Sequence, residues 1–240
     1  MPGALPPPFL AITPGVLERD AGGGFTQTHD AMLRAARAAI AGGVRGLLVR
    51  EPSLADGDVL RLARALREAL DEVDEPTWLG LHDRVHLASA AGAQAAHVGG
   101  RSLPAAEARR VLDAGLTLGV STHDGDDRGA WEGADYALHA PVFTPVSKHA
   151  SGAALGHDGL ARFVERCGLP VWAVGGITSE RIGELASTGA RGAAAIGAVW
   201  GIDATPIRGA EGPITDAVGI ETRAAALVEA AGHVFSEVPQ

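Results

Sequence analysis

The 240-residue sequence lacks the features that would tie it to a membrane, a nucleic acid or a disulfide framework. Its only cysteine is Cys167, which excludes an intrachain disulfide and a cysteine-based zinc cluster and favours a cytoplasmic location. No apolar run approaches the roughly 18 to 20 residues of a spanning helix, so we expect no membrane partner. The formal net charge is −9 and no basic patch is evident, so we expect no nucleic-acid partner.

Aromatic residues are also scarce, at 4% of the chain against 46% for all hydrophobic residues, which predicts a core of aliphatic side chains. The apolar residues form eight short runs, at 9–13, 44–49, 77–81, 95–99, 116–121, 136–143, 170–176 and 192–197. Runs that are apolar on both faces are typical of buried parallel strands, and segments of helical spacing follow them. The sequence therefore predicts an α/β protein with a single (β/α)8 TIM barrel over residues 9–235, preceded by a proline-rich lead-in over residues 1–8.

Helical spacing predicts helices at 28–41, 56–72 and 104–114, a short helix that starts at Thr178, and weaker helices at 84–91 and 127–132. Two long connections, 144–159 and 202–217, follow the sixth and eighth strands. We expect both at the C-terminal end of the barrel, where TIM barrels carry their active sites.

Glycine-rich turns follow the last two predicted strands and form a candidate phosphate site. Its residues are Gly175, Gly176 and Ile177 in the first turn and Ile196 and Gly197 in the second. Backbone N–H groups exposed at a helix start bind phosphate, and many TIM barrels place that site after strands seven and eight. Glycines that merely permit tight turns are the alternative, and the turns alone leave both open.

Polar residues at other strand ends are further candidates. His123 and Ser121 end the fifth strand, and a histidine there suits general acid–base catalysis, although most histidines are structural. Arg50 could clamp an anion, and Asp83 could bind a metal or orient a base, or could cap the following helix. Lys148 lies in the long loop after strand six, where its charge could reach a phosphate. The histidines have no spacing typical of zinc, so we expect no such metal site.

Together the motifs resemble those of the thiamine phosphate synthase/TenI superfamily of phosphate-binding barrels. The resemblance covers residues 9–201 in order and rests on LAIT, LLVRE, LHDRVHLA, AAHVGGRSLP, LGVSTH, GADY followed by PVF and SK, PVWAVGGIT and GARGAAAIGAV. It implies that the loops carrying Gly175, Gly176 and Gly197 bind the phosphate of a small phosphorylated thiazole.

The superfamily has two activities. Synthases join a pyrimidine diphosphate to a thiazole phosphate, release diphosphate and need Mg²⁺. TenI-type tautomerases move a proton on a thiazole carboxylate phosphate, which needs an acid–base residue and no metal.

The sequence departs from the synthase pattern at several positions, three of which concern the diphosphate and its metal. Leu48 and Pro52 replace the glutamine and lysine around Arg50, and Ser102 replaces an aspartate of the metal site. Asp83 is then the one carboxylate left to hold Mg²⁺ if the protein is a synthase.

Retained residues are those that both activities share. Ser121 and Lys148 fit both, Ser147 keeps a hydroxyl of the loop after strand six, and His123 matches the tautomerase histidine. The resemblance therefore favours a metal-independent thiazole tautomerase with His123 as the catalyst. A Mg²⁺-dependent thiamine phosphate synthase and a non-catalytic phosphate-binding regulatory protein remain the alternatives, and the oligomeric state stays open, a homo-oligomer included.

Overall fold

Eight parallel strands close into one barrel in sequence order, which confirms the predicted (β/α)8 fold. The computed structural model describes residues 3–18, 25–144, 154–202 and 213–236. The strands are β1 (Phe9–Ile12), β2 (Gly46–Val49), β3 (Trp78–His82), β4 (Ala95–Val98), β5 (Thr117–Thr122), β6 (Tyr136–His139), β7 (Val171–Val174) and β8 (Gly192–Ala195). Every strand core is buried, as expected for a sheet that helices cover.

Helices surround the barrel. They are α1 (Phe25–Ala41), α2 (Asp56–Asp71), α3 (Ala105–Val111), α4 (Gly156–Cys167), α5 (Ser179–Ile182), α6 (Gly197–Trp200) and α7 (Ala217–Phe235). Within the described ranges, no helix is long and apolar enough to cross a membrane.

Two of the predicted helices are wrong in type. The segments 84–91 and 127–132 contain only single 3-10 turns, at Val85–Leu87 and Arg128–Trp131. The connections that hold them are short, because β4 begins soon after β3 ends and β6 begins soon after β5 ends. There the chain returns along the barrel in an irregular path with one turn of helix.

The core consists mainly of aliphatic side chains, as composition predicts, but three aromatic rings are grouped inside the barrel. They are Trp78, Tyr136 and Trp172, and Tyr136 is edge-on to both tryptophans at centroid separations of 6.1 and 5.7 Å. Glycines at 80, 119 and 192 face these rings, and a Cβ at any of them would overlap a ring. Three large rings therefore fit because neighbouring strand positions have no side chain.

The lead-in closes the N-terminal end of the barrel. The carbonyl oxygen of Ala4 accepts hydrogen bonds from Trp78 Nε1 at 3.0 Å and Thr117 Oγ1 at 3.1 Å, and that of Pro7 accepts one from Trp172 Nε1 at 2.8 Å. These bonds satisfy the polar atoms of otherwise buried rings. Residues 3–8 therefore pack as part of the barrel, a role that their composition does not reveal.

His139 at the end of β6 makes stability depend on pH. Its ring is buried and stacks on Phe163 at a centroid distance of 3.6 Å, and Thr122 Oγ1 lies 2.9 Å from Nδ1. Burial, with the nearby charge of His123, lowers the pKa of His139 from 6.5 to about 4. Between pH 6.5 and 4 the imidazole binds a proton in the unfolded chain but not in the folded one. The contribution of His139 to the free energy of unfolding is therefore complete above pH 6.5 and is lost as the pH falls towards 4.

We expect the free energy of unfolding to fall by about 2 kcal/mol between pH 7 and pH 5 through His139. Urea unfolding at pH 7 and pH 5 measures this change in the free energy of unfolding. His139→Gln is expected to remove this part of the pH dependence, whereas His233→Gln, at an exposed histidine on α7, is expected to keep it. Equal pH dependence of His139→Gln and the unchanged protein would contradict the assignment.

Candidate active site at the barrel mouth

The two glycine-rich loops lie side by side at the C-terminal end of the barrel, because β7 and β8 are neighbours. Gly175 and Gly176 both have positive φ, 95° and 63°. A Cβ on Gly176 would lie 2.8 Å from Phe143 Cβ and from the carbonyl oxygen of Thr144. Only glycine gives the loop this conformation and this close approach to the loop after β6.

The second loop starts α6 directly after β8. Ile196 precedes the helix and Gly197 is its first residue, where a Cβ would lie 2.6 Å from the carbonyl oxygen of Ile202. The N–H groups of Gly176, Ile177, Gly197 and Ala198 donate to no acceptor among the described residues. Two adjacent loops thus present N–H donors for which the described residues supply no acceptor, an arrangement that can bind an anion.

Arg50 offers a cation at the same end, after β2. Its N–H donates to Thr13 Oγ1 at 2.7 Å, and its guanidinium lies over Gly15, where a Cβ would be 2.7 Å from Nη1. In the described part of the chain, no carboxylate lies within ion-pair distance of this guanidinium. Arg50 therefore keeps its charge available for an anionic ligand.

Glu51 holds the loop beneath Arg50, a role that the sequence did not indicate. Its side chain is 2% exposed and accepts hydrogen bonds from the N–H groups of Gly15 at 3.1 Å and Leu17 at 2.9 Å. Burial raises the pKa of Glu51, although these hydrogen bonds and Arg50 oppose the rise. The carboxylate fixes the backbone on which the guanidinium rests.

We expect Glu51→Gln to loosen this loop, because the glutamine amide has one neutral acceptor oxygen where the carboxylate has two charged ones. The amides of Gly15 and Leu17 should lose about tenfold in protection from hydrogen exchange, equivalent to about 1.4 kcal/mol. Exchange measured by mass spectrometry tests this, with Glu68→Gln on the exposed face of α2 as the matched control. Unchanged protection of the loop in Glu51→Gln would refute this role.

Asp83 follows β3 in the left-handed conformation, with φ 66°. Its Oδ2 lies 3.0 Å from His82 Nδ1, and the Ser102 hydroxyl donates to Oδ1. Partial burial raises the pKa of Asp83, but the hydrogen bonds from His82 and Ser102 and the charges of His82 and Arg84 outweigh it and hold the pKa well below its usual range. Asp83 is thus an ionised carboxylate at the mouth.

Ser121 on β5 contacts a histidine for which the sequence suggested no function. Its Oγ lies 2.9 Å from Nε2 of His97 on β4, whose Nδ1 lies 3.3 Å from the hydroxyl oxygen of Tyr136. His97 is fully buried, and its ring also lies 5.2 Å from that of His82. Burial lowers the pKa of His97 well below its usual value, so the imidazole is neutral.

His123 lies at the rim rather than inside the mouth. Its side chain is 58% exposed, its N–H donates to Asp126 Oδ2 at 2.8 Å, and its Nδ1 is 3.9 Å from that oxygen. Among the described residues, Asp126 is the only hydrogen-bond or ion-pair partner of His123. Ser147 and Lys148 lie outside the described residues. In the ranges that are described, no three His, Cys, Asp or Glu side chains are grouped to hold a metal ion.

The protein is a (β/α)8 barrel that carries N–H donors, the Arg50 guanidinium and the Asp83 carboxylate at the C-terminal ends of its strands. Residues 24–199 match the model of the TMP-TENI family, described as thiamine monophosphate synthase. The chain belongs to this family.

Known relatives agree with this assignment. A putative thiamine-phosphate synthase of Geobacter sulfurreducens is 39% identical over 181 residues, which cover 73% of this chain and 84% of that protein. A thiamine-phosphate synthase of Methanoculleus marisnigri is 37% identical over 168 residues, or 69% and 79% of the two chains. The solved structure of a thiamine phosphate pyrophosphorylase from Pyrococcus furiosus has the same fold, with a TM-score of 0.72, 23% identity and coverage of 94% and 96%.

Proposed function

We propose that the protein is a thiamine phosphate synthase, which joins a pyrimidine diphosphate to a thiazole phosphate and releases diphosphate. Similarity carries the proposal, because relatives that are 37% and 39% identical over most of both chains bear this name. The motifs alone favour a thiazole tautomerase over this activity, and the relatives reverse that order. Under this proposal, Leu48, Pro52 and Ser102 are substitutions that a working synthase tolerates.

The C-terminal end of the barrel has candidate binding groups for both substrates. The N–H groups of Gly176, Ile177 and Gly197 would hold the thiazole phosphate, with Gly175 and Ile196 shaping the two loops. Across the mouth, Arg50 would bind the diphosphate and stabilise the charge that develops as its bond breaks. Ser121 would contact the substrate from β5, and Ser147 and Lys148 would act from the loop after β6.

Mg²⁺ fits the donor set near Asp83. The ion commonly uses one or two carboxylates together with substrate phosphates, and here one ionised carboxylate lies beside the Ser102 hydroxyl. Asp83 would hold the ion, which would neutralise the leaving diphosphate.

A thiazole tautomerase is the second candidate, and the exposure of His123 favours it. The imidazole directly follows β5 and is 58% exposed, so a ligand at the rim could reach it, as a general acid–base residue requires. That activity would use the same phosphate loops and no metal.

Two assays on purified protein test the proposal. The first supplies both synthase substrates with Mg²⁺ and measures thiamine phosphate; the second supplies a thiazole carboxylate phosphate and follows its isomerisation by NMR. We expect product in the first assay, at least a hundredfold less with Asp83→Asn, and little change with Asp113→Asn, a matched substitution at an exposed aspartate.

Each other outcome rejects the proposal. Isomerisation without thiamine phosphate, lost in His123→Asn, would establish the tautomerase. Binding of thiazole phosphate with no turnover in either assay would indicate a regulatory protein.

A further inference from the structure

A line of three polar side chains runs from the centre of the barrel to its mouth. It starts at Tyr136, passes through His97 and ends at Ser121, over distances of 3.3 Å and 2.9 Å. Tyr136 and His97 are fully buried, whereas Ser121 is half-buried and lies at the C-terminal end of β5. The direction of the hydrogen bonds in this line decides what Ser121 can offer a ligand.

Two directions are possible in principle, because a neutral imidazole has one N–H donor and one acceptor nitrogen. If Nδ1 carries the proton, it donates to the Tyr136 hydroxyl, and Nε2 accepts from Ser121. If Nε2 carries the proton, Tyr136 donates to Nδ1, and Nε2 donates to Ser121.

The surroundings of Tyr136 select the second direction. Among the described residues, His97 is the hydroxyl's only hydrogen-bond partner. The neighbouring indole rings of Trp78 and Trp172 contribute N–H groups, which cannot accept, and these donate to the lead-in. In the first direction the Tyr136 proton would be buried without an acceptor, a cost that the second direction avoids. Burial also raises the pKa of Tyr136, so the proton stays on the hydroxyl.

Gly119 makes the line possible. It pairs with Tyr136 in the register of β5 and β6, and a Cβ there would overlap the Tyr136 ring and His97 Nδ1. The tyrosine hydroxyl and the imidazole meet in the space that this glycine leaves.

We propose that Tyr136 and His97 fix Ser121 as a hydrogen-bond donor to the substrate. Its oxygen accepts from His97 Nε2, and its own proton is left for a ligand in the mouth. The substrate group over Ser121 is therefore an acceptor, such as a phosphoryl oxygen or an unprotonated ring nitrogen, and not an amine. This inference relies on the proposed function only in taking the ligand to be a substrate.

The tautomer of His97 tests the first half of the inference without any substrate. Protein labelled with ¹⁵N-histidine, with His97 assigned by comparison with His97→Gln, should give the neutral Nε2–H tautomer at pH 7. A predominant Nδ1–H tautomer, or a charged ring, would overturn the inference whatever the activity of the protein. The Nε2–H tautomer in a protein that makes no thiamine phosphate would leave this half intact and reject the proposed function alone.

Ligand binding to Ser121 variants tests the second half. We expect Ser121→Ala to weaken binding of inorganic diphosphate or thiazole phosphate at least tenfold by calorimetry, because a donor to a charged oxygen is lost. Ser121→Thr, which keeps the hydroxyl, should recover most of the lost affinity, and Ser89→Ala, at an exposed serine outside the mouth, serves as the matched control. Equal affinity of Ser121→Ala and the unchanged protein for both ligands would overturn the donor role.

Discussion

Replacing Gly176 with alanine is expected to weaken binding of thiazole phosphate about a hundredfold or more. The new Cβ would lie 2.8 Å from Phe143 Cβ and from the carbonyl oxygen of Thr144, on a residue whose φ of 63° disfavours a side chain. The loop must shift, and its N–H groups would move away from the phosphate. A hundredfold loss corresponds to about 2.7 kcal/mol, which is reasonable for several charge-assisted hydrogen bonds.

Calorimetric titration with thiazole phosphate measures the effect. Gly183→Ala is the matched control, because this glycine lies close in sequence, has an ordinary negative φ, and has nothing within 4 Å of the added Cβ. We expect it to bind within about twofold of the unchanged protein. Affinity that is equally high in Gly176→Ala would show that the loop after β7 does not hold the phosphate.

Gly119→Ala is expected to destabilise the protein more than any other change considered. The Cβ would overlap the ring of Tyr136 and Nδ1 of His97, both fully buried, and Tyr136 cannot move aside without displacing Trp78 or Trp172. Overpacking of this kind costs about 3 kcal/mol or more. For a chain of this size that lowers Tm by about 6 to 12 °C.

Thermal and urea unfolding test the expectation. Gly115→Ala is the matched control just before the same strand, with nothing within 4 Å of its Cβ. A Tm within about 2 °C of the unchanged protein for Gly119→Ala would mean that the interior has room that the structure does not show.

The barrel could be predicted from sequence because its signal is local. Eight short apolar runs alternate with helical spacing, and each run is long enough to identify by itself. The three aromatic rings inside the barrel could not be located from the sequence. The fit between Gly119 and Tyr136, and that between Gly192 and Trp172, depends on the register of neighbouring strands. Composition counts the rings but does not locate them.

Part of the candidate site could likewise be predicted from the sequence, and part could not. The loops of Gly176 and Gly197 follow strands directly, so their place at the mouth could be predicted, although their use of free N–H groups stays a proposal. The roles of Glu51 and His97 could not be predicted from their positions in the sequence, because each depends on partners from distant parts of the chain. A carboxylate directly after a strand and a histidine inside an apolar run were signals of buried polar partners.

The motifs alone do not distinguish the two reactions. Residues retained in the motifs, such as Ser121, serve both activities, and those that separate the activities are replaced. The tautomerase that the motifs favour rests on His123, whose side chain is 58% exposed and whose partner among the described residues is Asp126. Similar relatives, rather than any one residue, move the proposal to the synthase.

A crystal structure of the protein with thiazole phosphate tests the account most directly. We predict the phosphate within hydrogen-bond distance of the N–H groups of Gly176 or Ile177 and of Gly197 or Ala198, with the thiazole ring directed towards Ser121. A pocket lined by Arg128 and Arg166 lies near the starts of β6 and β7, at the other end of the barrel. Thiazole phosphate bound in that pocket, with the mouth empty, would contradict the account.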